Sequence, residues 1–293
     1  MKTAAYETTA DMIGYGGFGH LQRRIATLAK SYLFPLILGS HTRQEGVVLP
    51  PRYLRFCGME FRSDQFFLDS ARREAARLIE HCSLRSGSSV LDVGCGAGRL
   101  AIGLMQTLPD VRYCGVDVHK PSIQWCRKWI SSQHPKFTFE WVNTRNARYN
   151  PDAPKVVSEN SLPVPDRSAD VINLFSVFSH LDRNDTQALV RELRRVVTDT
   201  GRVFLTAFID WSDSAPDLVV NPAHGQMQWS GPLHCVRVRH GWFQDLCESN
   251  GFEFHAGPAD AEVDGQTAIY LSVRASAKTE SPIKTATRNL DGP

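Results

Sequence analysis

Asp92 and Asp117 bracket a segment that places glycine at positions 94, 96 and 98. Asp92 lies in the short apolar run Val90-Leu91-Asp92-Val93 just before the glycines, and Asp117 ends the next one, Tyr113-Cys114-Gly115-Val116-Asp117. Glycine has no Cβ, so a ligand can lie against bare backbone, and the chain can take angles closed to other residues. Arg99 to Thr107 reads as the helix that follows, and its first amides, which have no intrahelical partner, would point into the same hollow. The combination builds a ligand cradle, with Asp117 at the distance beyond it expected of a carboxylate that binds a ribose. Farther along, His180 in Phe178-Ser179-His180-Leu181 and His234 in Leu233-His234-Cys235 carry imidazoles that titrate near neutral pH and can take up a proton.

These side chains need a scaffold, and the sequence spells one out. Phe67, Ala71, Ala75, Leu78 and Ile79 share one face of an expected helix from Asp64 to Cys82. Strands are expected at Ser89 to Val93, Arg112 to Val116, Phe137 to Val142, Val171 to Phe175 and Arg202 to Ala207. Helices at Arg99 to Thr107, Pro121 to Ser132 and Asp185 to Val197 fall between most of them. A last helix from Gly241 to Asn250 precedes an antiparallel pair, Phe252 to His255 and Thr267 to Val273. Such alternation predicts an α/β fold with a doubly wound, mostly parallel sheet. Ligands of such sheets bind beyond the carboxyl ends of the strands, and the cradle lies at such an end.

The motifs resemble those of the class I S-adenosylmethionine-dependent methyltransferases. The resemblance rests on Asp92-x-Gly94-x-Gly96-x-Gly98 followed by Gly115-Val116-Asp117. It continues through Leu162-Pro163-Val164-Pro165-Asp166, the run from Ala169 to Leu181, and Gly201-Arg202-Val203-Phe204-Leu205-Thr206. It implies a Rossmann-like seven-stranded sheet with an antiparallel last strand in residues 61–275, preceded by an N-terminal helical extension or lid over residues 1–60. Residues 276–293 lack apolar periodicity and are expected to be a disordered tail. A helix is expected from His20 to Lys30, and Gly14 to Gly19 reads as a loop, because no strand precedes it.

The resemblance implies S-adenosylmethionine as cofactor and a small-molecule methyl acceptor as partner. Asp92 and the backbone of Gly94 and Gly96 would hold the methionine portion, with the Asp92 carboxylate near its ammonium. Asp117 would accept from both ribose hydroxyls, and Val118 and Ile123 would pack near the adenine. Asn143 stands where the family often has an acidic residue for the adenine amino group. Leu174 and Phe175 would close over the sulfonium side. His180 lies where the acceptor should sit, as general base or as a structural residue capping the next helix. His234 falls in the insertion after the fifth strand, which in this family often lines the acceptor pocket; His224 and Trp211 are further candidates there. The implied reaction is methylation, at oxygen by family frequency, of a sugar, lipid or secondary metabolite. No metal is expected, since Phe175 occupies the place where metal-dependent relatives carry carboxylates.

Two other readings share the cradle. A nicotinamide-dependent oxidoreductase would want glycine or alanine where Arg99 stands, and would carry a Tyr-x-x-x-Lys pair that is absent. A non-catalytic cofactor-binding subunit would keep the same motifs. Composition narrows the partners. A net charge of +2 makes no electrostatic case for nucleic acid. Seven cysteines without a Cys-x-x-Cys pair argue against a disulfide framework or a zinc knuckle, and fit a reducing, cytoplasmic setting. Tyr32 to Leu38 is apolar but far short of the roughly 20 residues a bilayer span needs, so no stable membrane anchor is expected. The oligomeric state is not legible.

Overall fold

The computed structural model describes residues 39–56, 58–154, 162–223, 231–256 and 265–275, with 29, 33, 34, 36 and 229 singly. Residues 20–28 and 30 of the expected helix, the loop at 14–19, residue 224 and the tail from 276 lie outside the described residues. The strands are β1 (Thr42–Gln44), β2 (Val47–Leu49), β3 (Ser89–Val93), β4 (Arg112–Asp117), β5 (Phe137–Trp141), β6 (Ala169–Leu174), β7 (Val197–Asp210), β8 (Leu218–Val220), β9 (Val236–Arg239), β10 (Phe252–His255) and β11 (Thr267–Val273). The helices are α1 (Asp64–His81), α2 (Arg99–Thr107), α3 (Lys120–Cys126, continued by a π-helical turn over Arg127–Ser131), α4 (Arg183–Val196) and α5 (His240–Ser249).

The main sheet runs β10-β11-β7-β6-β3-β4-β5, the seven-stranded path expected from the motifs, with β9 and then β8 added beyond the far end of β7. Pairing is parallel from β7 through β5 and antiparallel at β11 and β10. Chain order reverses between β3 and β6, so the connections leaving their carboxyl ends, to α2 and toward α4, run to opposite faces of the sheet and leave a crevice between them. Alternation along β7 shows why the sheet is covered on both sides. Phe204 joins the core under α1 and α2, while Val203 and Leu205 join the core under α4 and α5. Ser63 caps α1 by accepting from the Phe66 amide, and Asp182 caps α4 by accepting from Asp185. No helix among the described residues is long and apolar enough to cross a membrane.

The N-terminal extension differs from the helical expectation over residues 42–49, where β1 and β2 form an antiparallel hairpin. Glu45 and Gly46 both take positive φ, 51° and 79°, the pairing a tight two-residue hairpin turn requires. Arg55, 5% exposed, fastens this segment to the domain. Its Nη2 reaches Thr42 Oγ1 and Asp64 Oδ1, each at 2.7 Å, and its Nε donates to the Pro50 carbonyl at 2.9 Å. A buried guanidinium is tolerated only with such partners.

Candidate functional site

The cradle joins β3 to α2. Gly94, Gly96 and Gly98 take φ of 73°, 51° and 77°, a region that side chains rarely enter. The three positions face different surroundings. A Cβ on Gly94 would stand 2.6 Å from Val177 Cγ2 and one on Gly98 2.7 Å from Ile130 Cδ1, whereas one on Gly96 would meet nothing within 4 Å. Gly96 therefore opens onto the cavity, and Gly98 serves the packing of the cradle on α3 and its π-helical extension. Asp117 ties the cradle to β4, since its Oδ2 accepts from the Gly96 amide at 2.8 Å and its Oδ1 from the His119 amide at 2.6 Å. Burial raises its carboxyl above the ordinary range, against the pull of those backbone bonds.

A cavity of about 230 Å³ opens from this point, with Gly94, Gly96, Asp117, Val118, Phe175 and His180 on its wall. A smaller one of about 50 Å³ continues it past Gly94 and Gly96 toward Asp92. Asp92 is 3% exposed and both its oxygens are engaged: Oδ2 accepts from Tyr113 Oη at 2.5 Å and Oδ1 from Asn173 Nδ2 at 2.8 Å. The same Asn173 amide donates to Glu74 Oε1 at 2.9 Å. Burial, reinforced by the negative charge of Glu74, pushes Asp92 up to about 7, while the bonds from Tyr113 and Asn173 oppose the shift.

His180 ends a short 3-10 turn, Phe178–His180, on the outer wall of the larger cavity. Its Nδ1 lies 2.9 Å from the Leu233 carbonyl, which can only accept, so Nδ1 carries the proton and Nε2 the lone pair. The Tyr149 ring meets the imidazole edge to face, with centroids 5.4 Å apart. Burial pushes its pKa down to about 4, opposed by the Leu233 carbonyl, so the ring is neutral at neutral pH. Helix capping, the alternative role for His180, is filled by Asp182.

The remaining sequence candidates part company. Val118 and Phe175 line the larger cavity. Ile123 is buried in the core, 1% exposed. Leu174 is wholly buried beneath the sheet end, because alternation on β6 turns it into the core and leaves Phe175 for the cavity. Asn143 is exposed, its Oδ1 accepting from Asn150 at 3.4 Å, and Val142 and Thr144 stand on the wall instead. His234 packs against Trp229, ring centroids 5.3 Å apart, while its neighbour Leu233 holds His180. Trp211 stacks on His240 at 4.5 Å, away from the wall. Sequence reasoning missed Glu74, Tyr113, Asn173, Phe56 and Tyr149. For two of them a signal was present: Glu74 interrupts the apolar face of α1, and Asn173 interrupts an apolar strand. Among the described residues no group of three His, Cys, Asp or Glu side chains is arranged to hold a metal ion.

Residues 91–203 match the family described as Methyltransferase domain. An uncharacterised methyltransferase of Schizosaccharomyces pombe is 29% identical over 139 residues, 45% of this chain and 46% of that protein. The 27-O-demethylrifamycin SV methyltransferase of Amycolatopsis mediterranei is 27% identical over 143 residues, 48% of this chain and 46% of its own length. The chain thus spans about half the length of the curated relatives it matches. A crystal structure of a Pyrococcus horikoshii OT3 protein shares the fold with a TM-score of 0.51 at 16% identity, over 74% of this chain and 94% of that one. Glycine cradle, strand order and matched segment agree: over residues 91–203 the chain is similar to methyltransferase domains, set in an α/β sheet of the same fold.

Proposed function

We propose that the protein transfers a methyl group from S-adenosylmethionine to a hydroxyl of a small, largely apolar molecule. Bound in the cradle, that cofactor supplies a methyl group already activated on a sulfonium. The protein's task is then to align an acceptor and remove its proton. Asp117 accepts from the ribose hydroxyls with the lone pairs that Gly96 and His119 leave, and Val118 packs near the adenine. Asp92, oriented by Tyr113 and Asn173, faces the ammonium end. Phe175 covers the sulfonium side, and Phe56, carried by the segment that Arg55 fastens, lines both cavities as a lid residue.

The observation that carries this reading is that a single cavity joins the cradle at Gly96 to the imidazole of His180. His180 holds its lone pair on Nε2 because Leu233 holds the other proton, and burial leaves that lone pair unprotonated and open to a hydroxyl proton as the new bond forms, while the same burial makes the ring a weaker base than an ordinary imidazole. Val177, Leu181 and Leu189 share the wall and favour an apolar acceptor. The relative named for 27-O-demethylrifamycin SV supports oxygen as the accepting atom. Titration calorimetry with S-adenosylmethionine, S-adenosylhomocysteine and a nicotinamide dinucleotide tests the cradle. Incubation with methyl-labelled donor and metabolite extracts, read by mass spectrometry, tests the transfer. Uptake of the two sulfur nucleosides alone and one labelled product are expected. Uptake of the dinucleotide instead overturns the reading, and donor binding without any labelled product reduces it to a cofactor-binding role.

A further inference from the structure

Glu74 sits in the middle of α1, 4% exposed, on a face otherwise given to Phe67, Ala71 and Leu78. Its Oε1 accepts from Asn173, but its Oε2 accepts no hydrogen bond, although the residue lines the smaller cavity. Oε2 lies 2.8 Å from Nη2 of Arg99, the first residue of α2, which lines the same cavity. The Arg99 guanidinium lies over the Phe175 ring at 4.3 Å and the Phe61 ring at 5.2 Å, flat apolar surfaces that steady it without engaging its donors. Charges around this cavity do not balance. Asp92 and Glu74 share one Asn173 amide, while of the two arginines on the wall Arg55 is already paired with Asp64. Two buried carboxyl groups thus face one available guanidinium, and burying unmatched charge is costly.

An α-amino acid end carries an ammonium and a carboxylate on one carbon, the charge pattern complementary to a carboxylate and a guanidinium held side by side. We propose that the Glu74–Arg99 pair is the receptor for the zwitterionic end of the cofactor. Glu74 Oε2, beside Asp92, accepts from the ammonium, and Arg99 donates to the carboxylate as the pair opens. Each ion exchanges one charged partner for another, and the incoming ammonium supplies the positive charge that the two carboxyl groups lack. The inference rests on the methyl-donor reading of the cradle and adds what that reading leaves open: how the site tells a complete sulfur nucleoside from one without its amino acid.

Calorimetry on the full chain with four probes tests it: S-adenosylhomocysteine, its decarboxylated analogue, its deaminated analogue, and 5′-methylthioadenosine, which lacks the amino acid end altogether. Because charge-assisted hydrogen bonds are the strong ones, wild type should bind S-adenosylhomocysteine about tenfold or more tighter than either truncated analogue. Glu74→Gln should lose about tenfold for S-adenosylhomocysteine yet bind the deaminated analogue as wild type does, and Arg99→Gln should do the same with the decarboxylated analogue. Methylthioadenosine should bind all three proteins alike. The inference is overturned if either variant weakens methylthioadenosine as much as S-adenosylhomocysteine, or leaves S-adenosylhomocysteine unchanged. Should Glu74→Gln fold poorly, the wild-type series decides, since equal affinity for intact and deaminated ligands overturns the role of Glu74. Wild type that takes up methylthioadenosine and gains nothing from the amino acid overturns this inference alone. Wild type that takes up none of the probes overturns the methyl-donor reading together with it.

Discussion

Tyr113 on β4 donates its phenolic hydroxyl to Asp92 on the neighbouring strand β3, a 2.5 Å bond between two residues that are almost wholly buried. The bond orients the carboxyl without supplying charge. Burial and Glu74 therefore prevail over Tyr113, Asn173 and Arg99, and Asp92 stands at about 7 against an ordinary 3.8. The folded chain keeps a proton that the unfolded chain gives up. The stability linked to that proton is complete below the ordinary carboxylate value and is lost as pH rises through about 7. Asp92→Asn keeps one acceptor and removes the titration. Without ligand, it should be more stable than wild type at pH 8, and the gap should narrow toward pH 5. Urea unfolding across that range checks the prediction, and a gap that does not change with pH would refute it.

His180 shows the opposite linkage. Its pKa falls from an ordinary 6.5 to about 4 on folding, so the unfolded chain binds a proton that the folded chain refuses. Stability declines as pH falls from 6.5 toward 4, by up to about 3 kcal/mol at 1.36 kcal/mol per unit. His180→Gln should lose this acid sensitivity. It should also lower turnover about 100-fold or more, the usual weight of a positioned proton acceptor, while leaving donor affinity near wild type. Melts at pH 5 and 7.5, with kcat once an acceptor is in hand, decide both parts. Unchanged turnover would remove His180 from the chemistry.

Asp117→Asn separates the ribose end of the site from the amino acid end. Asn cannot accept from both the Gly96 and His119 amides, so the cradle loses an anchor and the ribose a charged acceptor. Two hydrogen bonds to a charged group are at stake, and a loss of about 100-fold is expected for S-adenosylhomocysteine and methylthioadenosine alike. Calorimetry measures both. A loss confined to S-adenosylhomocysteine would mean that Asp117 does not serve the nucleoside.

The carboxylates, glycines and histidine that sequence picks out are those whose roles depend on position along one strand or loop. Asp92, Gly96, Asp117 and His180 stand at strand ends or in the turns just beyond them, and local pattern is enough to bring them to the cavity walls. Leu174 and Asn143 stand off the cavity wall for a matter of phase: one residue along a strand or its extension exchanges core or solvent for cavity, so that Phe175 and Thr144 line it. Glu74, Tyr113 and Asn173 meet Asp92 from three other elements, and no short-range pattern records which side chains a sheet brings together. The β1–β2 hairpin escaped because its three-residue strands are too short for alternation to declare itself, although Glu45-Gly46 is turn-forming chemistry.

Gly103 extends the same point to stability. In sequence it is one residue of an amphipathic helix, where replacing glycine by alanine ordinarily stabilises by about 1 kcal/mol. Here a Cβ on Gly103 would stand 2.1 Å from the Ala71 carbonyl oxygen and 3.2 Å from Ala75 Cβ, so α1 and α2 touch backbone to backbone at this place. Gly103→Ala must push the helices apart, and overpacking of this kind costs about 1–3 kcal/mol, enough to reverse the helical gain. The displacement acts on the site as well, because α1 carries Glu74 and α2 begins with Arg99. Gly103→Ala should therefore melt earlier than wild type and lose affinity for S-adenosylhomocysteine while keeping that for methylthioadenosine. A variant that melts later would show that the helices do not pack so closely, and equal losses for both ligands would show that their spacing does not govern the amino acid end.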